Sequence, residues 1–190
     1  MRIIVTTLAS LLLSTAAHAQ QQQRPPRPGT MTLSTTAWKD GGVIPDKYAQ
    51  PGRDVSPALA WDKVPDGTES FVVMVHDLDS VTVTGGEQFL HWMVWNIPKT
   101  AKGLTEKQSQ EPELEDGTRQ ISSSGPWYRG PAAAVFGPQH HYVFEIYALS
   151  AKVEVPAVGQ APLATETAVQ SAMSGKILAK GVLTGTFRRN

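Results

Sequence analysis

The sequence predicts a mainly β domain, an antiparallel β-sandwich that carries a C-terminal helix on its rim. Three observations lead there. Phe71 to Asn96 runs two strongly apolar strands into polar ends, and His140 to Leu149 alternates apolar and polar residues along its whole length. Only one segment, Glu166 to Lys180, has convincing helical periodicity, and it comes late in the chain. Many strands with one late helix argue for a sandwich and against βαβ units, in which helices and strands would alternate.

At the N-terminus, Met1 and Arg2 precede an apolar run from Ile3 to Leu13 and the pattern Ala17-His18-Ala19, the arrangement of a secretory signal peptide. The run is too short to span a bilayer as a helix. Cleavage is expected after Ala19, so residues 20–190 form the mature chain, with no transmembrane segment and a periplasmic or secreted location. That length is enough for one domain with a real core. There are no cysteines, so no disulfide framework is available. The whole chain has 17 basic and 17 acidic side chains, and loss of Arg2 leaves a net charge of about −1. The sole basic cluster is Arg188-Arg189, which gives no basis for nucleic-acid binding.

Residues 20–30 begin with glutamines and continue into a proline-rich piece, read as a disordered leader; residues 31–190 are expected to form a single domain. Met31 to Trp38 predicts a first strand, followed by the punctuation of Gly41-Gly42 and Pro45-Asp46. Ser56 to Trp61 reads as a short strand entered through Pro57, and Pro65-Asp66-Gly67 as the turn before the central pair. Lys99 to Ser124 is polar and broken by Gly103, Pro112 and Gly117, a long surface connection that reads equally as a functional rim or flap and as a tolerated insertion. A Gly- and Pro-rich stretch, Gly125 to Gln139, leads into the alternating strand. The helix has Thr165 as its expected N-cap, Val169, Ala172, Met173 and Ile177 on one face, and Gly181 as its C-cap; Val182 to Phe187 supplies a last strand.

Candidate site residues follow from strand phase. Phe71, Val73 and Val75 share a face with Asp77, so the carboxylate ends a buried face. On the second strand alternation puts His91 in phase with Met93 and Trp95. His140 and Tyr142 share the apolar face of Phe144, Ile146 and Ala148, whereas His76 and His141 alternate away and read as structural or surface residues. A carboxylate and imidazoles at the ends of adjacent central strands make a concave, partly dry polar site. Asp77 reads alternatively as a turn residue whose carboxylate bonds nearby backbone N–H groups.

The motifs Ser56-Pro57-x-Leu59-x-Trp61, His76-Asp77-Leu78-Asp79, His91-Trp92-x-x-x-Asn96-Ile97-Pro98, Tyr128-x-Gly130-Pro131 and His140-His141-Tyr142-x-Phe144-x-x-Tyr147-Ala148-Leu149 stand in this order along the chain. As an ordered set they resemble the phosphatidylethanolamine-binding protein family, in its bacterial, Raf kinase inhibitor-like branch, from about Leu33 to Phe187. Leu78, Val81, Ala132 and Ala133 stand where the family commonly has proline. The resemblance implies a β-sandwich with a small anion pocket at one end, which accepts phosphate-like head groups. Position by position, Asp77, His91, His140 and Tyr142 match the pocket residues, and Gly130 and Pro131 its wall.

For such a pocket the expected ligand is a small anion of phosphate or phosphoethanolamine type, bound without cofactor or metal and without catalysis. His91, His140, the Tyr142 hydroxyl and backbone N–H groups around Gly130 are its candidate donors. Asp77 would hold a histidine in its charged form or correct tautomer, or pair with a ligand amine. A second reading is an inhibitor or regulator of an unknown protein partner, protease- or kinase-directed, for which Lys99 to Ser124 is the candidate protruding element. A third is a metal-dependent hydrolase, since two histidines and a carboxylate have the right ligand types; the chain has no HExxH and no G-x-S-x-G to support it.

Overall fold

The structure, a computed structural model, describes residues 27–81 and 88–189. The expected signal peptide and most of the leader fall outside these residues. The described elements are, in order, β1 (Gly29–Thr30), β2 (Thr32–Ser34), a 3-10 turn at Asp46–Tyr48, β3 (Leu59–Asp62), β4 (Ser70–Val81), β5 (Gln88–Pro98), β6 (Gly103–Leu104), β7 (Arg119–Ile121), β8 (His140–Leu149), α1 (Pro162–Met173) and β9 (Ile177–Phe187). A six-stranded sheet has the order β1-β9-β8-β4-β5-β7, and a smaller sheet the order β2-β3-β6. The β1–β9 pair is parallel and the other ladders antiparallel.

Both faces of the central strands are buried, as their unbroken apolar runs require. Phe71, Val73 and Val75 of β4 pack with Phe144 and Ile146 of β8 and with Leu33, Leu59 and Trp61 of the small sheet, forming the core between the sheets. Val72 and Met74 point the other way, into a second cluster with Met93, Trp95 and, from α1, Val169 and Met173. Each large side chain buried in this way contributes about 1.5–3 kcal/mol.

Local expectations and structure part company at three places. The expected first strand, Met31 to Trp38, is a strand only at Thr32–Ser34, and Gly29–Thr30, expected to end a disordered leader, forms β1. β1 joins the large sheet through β9, Met31 is buried between the two, and β2 continues in the small sheet. Trp38 lies beyond it and donates its indole N–H to the Thr184 carbonyl (2.9 Å).

The helix occupies Pro162–Met173 and not Glu166 to Lys180. Pro162 takes the first helical position, where a missing N–H costs nothing. Thr165, the expected cap, sits inside the helix with its hydroxyl on the Ala161 carbonyl (3.3 Å). At the other end Gly175 turns the chain at φ 74°, and Ile177–Phe187 pairs along β8 from Leu149 to His140. Gly181, the expected C-cap, lies within this ladder opposite Ile146. A Cβ there would stand 3.0 Å from both the Ile146 side chain and the Met31 carbonyl. A full antiparallel ladder satisfies more backbone groups than extra helical turns with a broken apolar stripe, so tertiary pairing overrides local propensity.

Lys99 to Ser124 is pinned to the domain through β6 and β7. Gln120 is its anchor: Oε1 accepts from the Trp92 indole (3.0 Å), and Nε2 donates to the carbonyls of Ser109 (2.6 Å) and Glu111 (2.8 Å). This buried amide closes the segment onto the sheet, so it does not form a free flap.

Candidate anion-binding site

Three central strands end together at one edge of the large sheet. Asp77 of β4 lies opposite Tyr142 of β8 and opposite Phe89 of β5. Strand phase carries Asp77 to the side of the inter-sheet core, and there its carboxylate is buried. Oδ1 accepts the Asp79 N–H (2.9 Å), which is the turn-type contact, and Oδ2 bonds His140 Nδ1 (2.7 Å). Asp77 thus makes the turn-type contact and a histidine contact together. The Nδ1 contact fixes the orientation of the His140 ring and leaves Nε2 as its remaining polar atom.

His91 arrives by a different route from the one alternation predicts. On β5, Trp92 pairs with Val75 but Leu90 with His76, so His91 is the extra residue of a β-bulge. Without the bulge it would share the face of Met93 and Trp95, towards α1. With it, the ring packs 5.2 Å from Tyr142 in an edge-on arrangement and 4.9 Å from Phe89. Its Nδ1 donates to the Arg129 carbonyl (2.6 Å), which assigns the proton of the neutral ring to Nδ1. Burial holds His91 below the ordinary imidazole value, opposed by that carbonyl bond and by the charge of Asp77.

Tyr142 lies beneath the site and is fully buried; its hydroxyl has no hydrogen-bond partner among the described residues. Burial, reinforced by Asp77, raises its pKa so far that the phenol stays protonated. Gly130 and Pro131 lie between Arg129 and Ala132, which border the cleft, and do not themselves line it. The Gly130 N–H donates to Asp54 Oδ1 (2.6 Å), its carbonyl accepts from Gln50 Nε2 (2.8 Å), and the Pro131 carbonyl accepts the Gln50 N–H (3.0 Å). A Cβ at Gly130 would stand 2.1 Å from the Tyr48 carbonyl, so only glycine fits. The backbone donors expected for a ligand here are thus already used: Gly130 N–H by Asp54, and Arg129 N–H by the His91 carbonyl (2.9 Å).

The cleft, of about 220 Å³, is bordered by Gln50, Asp77, Phe89, His91, Arg129 and Ala132. Arg129 is the functional candidate that sequence reasoning missed. It stood in view as the unspecified residue of Tyr128-x-Gly130-Pro131, but a lone arginine gives no sign of which way it points. Its guanidinium has one long contact, 3.5 Å to Asp54. A larger cleft of about 480 Å³, with Arg53, Lys107 and Trp127 among its residues, contains none of the expected site residues. Size alone does not select it, because the smaller cleft is where buried histidine, carboxylate and cation converge.

The other two histidines at this end have carboxylate partners of their own. His76 Nε2 meets Glu166 of α1 (2.8 Å) in a buried contact, and His141 pairs in the open with Asp79 (2.9 Å). Their assignment as structural and surface residues agrees with these positions. Among the described residues no group of three His, Cys, Asp or Glu side chains is arranged to hold a metal ion.

Comparison with known proteins places the chain and its fold. Residues 34–188 match the family model described as phosphatidylethanolamine-binding protein. A UPF0098 protein of Aquifex aeolicus is 34% identical over 161 residues, covering 84% of this chain and 90% of the relative. Among solved structures, a phosphatidylethanolamine-binding protein homolog from Chlamydia trachomatis superposes with a TM-score of 0.70 at 27% identity, over 85% of this chain and 99% of the homolog. YbcL of Escherichia coli, described as a new member of the mammalian PEBP family, shares the fold with a TM-score of 0.69 at 24% identity, over 85% of this chain and all of YbcL. With a family model that matches nearly the whole described chain and solved structures that share its fold, the chain belongs to the phosphatidylethanolamine-binding protein family.

Proposed function

We propose that the cleft binds a small anion of phosphate type, free or as a phosphoethanolamine head group, and does so without a covalent step. The observation that carries this reading is the convergence on one cleft of His91, Asp77 and Arg129, with His140 bonded to Asp77 behind it. Arg129 supplies a permanent charge. His91 Nε2, neutral in the empty site, can accept a proton from a singly protonated phosphate or take up a proton with the anion. Asp77 does not face the anion as a free charge, since both its oxygens are bonded within the protein. It orients His140, and its remaining lone pairs are placed to receive a ligand ammonium group.

Each Nδ1 is committed to a carbonyl or carboxylate, which orients both rings towards a ligand, and the reading requires no covalent step. The inhibitor reading would use Lys99 to Ser124, which is held to the sheets at β6 and β7 and is largely exposed between them. Export to the periplasm or beyond is part of the proposal and rests on the N-terminal sequence pattern.

Calorimetric titration of inorganic phosphate into the mature protein and its His140→Ala variant tests the reading. Saturable binding that weakens by about 1–3 kcal/mol in the variant is expected, the usual loss for a charge-assisted hydrogen bond. Absence of binding to the unmodified protein, or equal affinity in the variant, would refute it.

A further inference from the structure

The cleft opens at the end of the sandwich where β9 also finishes, with Phe187 paired to His140. Beyond it, the Gly- and Pro-rich stretch after the cleft wall folds back onto the C-terminal residues. Val135 bridges Arg189 and the Phe136 N–H donates to the Arg189 carbonyl (3.0 Å). This contact brings the chain's sole basic pair, Arg188-Arg189, beside two exposed apolar side chains: Val135 is 50% exposed and Phe136 81%. Both arginines are exposed, and neither is in an ion pair among the described residues. Val43, bridged to Thr186 one step back along β9, is exposed too, as is Leu78 beside Asp77.

Phe136 also has a backbone that an aromatic residue does not choose. Its φ is 56°, in the left-handed region where Cβ crowds the carbonyl, and glycine or asparagine would be relaxed there. A strained aromatic that is 81% exposed contributes little to folding, so its use lies outside the protein. We propose that this end of the molecule docks on an anionic lipid bilayer, with Phe136 and Val135 entering the interface and Arg188 and Arg189 on the head-group phosphates. Charge selects this occupant. Paired cations flanking a protruding aromatic tip complement a negatively charged interface, whereas an apolar contact between two copies would bring four arginines together. Two arginines alone make no basic stripe, which is why the sequence does not reveal the surface; the fold adds the apolar half. The inference does not depend on the cleft being filled.

Sedimentation of the mature protein with phosphatidylcholine vesicles, with and without phosphatidylglycerol, is the test. Binding to the anionic vesicles alone is expected, falling as salt is raised. It should drop by about fivefold for each of Arg188→Gln and Arg189→Gln and be lost in Phe136→Ser, an exposed position that leaves the fold intact. A Phe136→Trp protein should show blue-shifted added emission on those vesicles. His140→Ala should sediment like the unmodified protein even when it no longer binds phosphate, which separates this surface from the cleft. Equal binding to both vesicle types, unchanged binding of Phe136→Ser, or a Phe136-dependent dimer that ignores vesicles would overturn the proposal.

Discussion

At the scale of single residues the site is a division of labour between two histidines. His140 takes its orientation from Asp77, and His91 takes its tautomer from a backbone carbonyl. Their neighbours serve as controls. His141 stands next to His140 but pairs in solvent with Asp79, so His141→Ala should leave phosphate affinity unchanged where His140→Ala loses about 1–3 kcal/mol. A loss in the first variant and not the second would mean that the strand phase is misread.

Burial of His91 gives a pH dependence with a definite sign. Its folded value lies below the unfolded value of about 6.5. The unfolded chain therefore takes up the proton first as pH falls. The stability that neutral His91 contributes is fully present above about pH 6.5 and declines between there and the depressed folded value. Chemical denaturation across that window should show the decline, and His91→Gln should flatten it. An anion in the cleft favours the protonated ring, so sulfate, whose charge is constant over this range, should bind more tightly as pH falls. Of these residues Asp77, His140 and Tyr142 were legible from strand parity. His91 was legible as a residue type but not in its direction, because a bulge reverses parity and leaves no mark in the sequence.

At the scale of elements, the long central strands were readable because their apolar runs admit no other environment, and the phases of β4 and β8 follow from alternation alone. The helix was displaced by several residues because its ends are set by pairing far away in sequence. Ile177 to Gly181 has a helix-compatible pattern but finds a complete partner in β8. The helix itself is tied to the sheet by the buried His76–Glu166 contact beneath it. Glu166→Ala leaves that imidazole without its partner and should cost about 1–3 kcal/mol in denaturant titration, with little effect on anion binding. The wall segment gives a sharper case. Because a Cβ at Gly130 collides with the Tyr48 carbonyl, Gly130→Ala should destabilise the protein by about 1–3 kcal/mol and also weaken phosphate binding, since the same loop segment carries Arg129. A variant as stable as the parent would show that the wall has room to move.

For the whole molecule, an aligned pair of sheets with both faces of the larger one covered leaves its strand ends as the place where polar groups can gather without breaking the core. That general position could be inferred from sequence; the wiring through Asp54, Gln50 and Arg129 could not, because it joins segments separated by about 80 residues. The N-terminal pattern makes a separate claim: mass spectrometry of the exported protein should find Gln20 at the start, and an intact Met1 would contradict cleavage after Ala19.

The central claim is that Asp77 serves the histidines of an anion site and does not repel the anion. Titration of inorganic phosphate into the mature protein and Asp77→Asn at pH 7 measures it most directly. With His140 no longer held by a carboxylate, the variant should lose about 1.5 kcal/mol, or roughly tenfold in affinity. Phosphate binding that becomes tighter in Asp77→Asn would contradict the account.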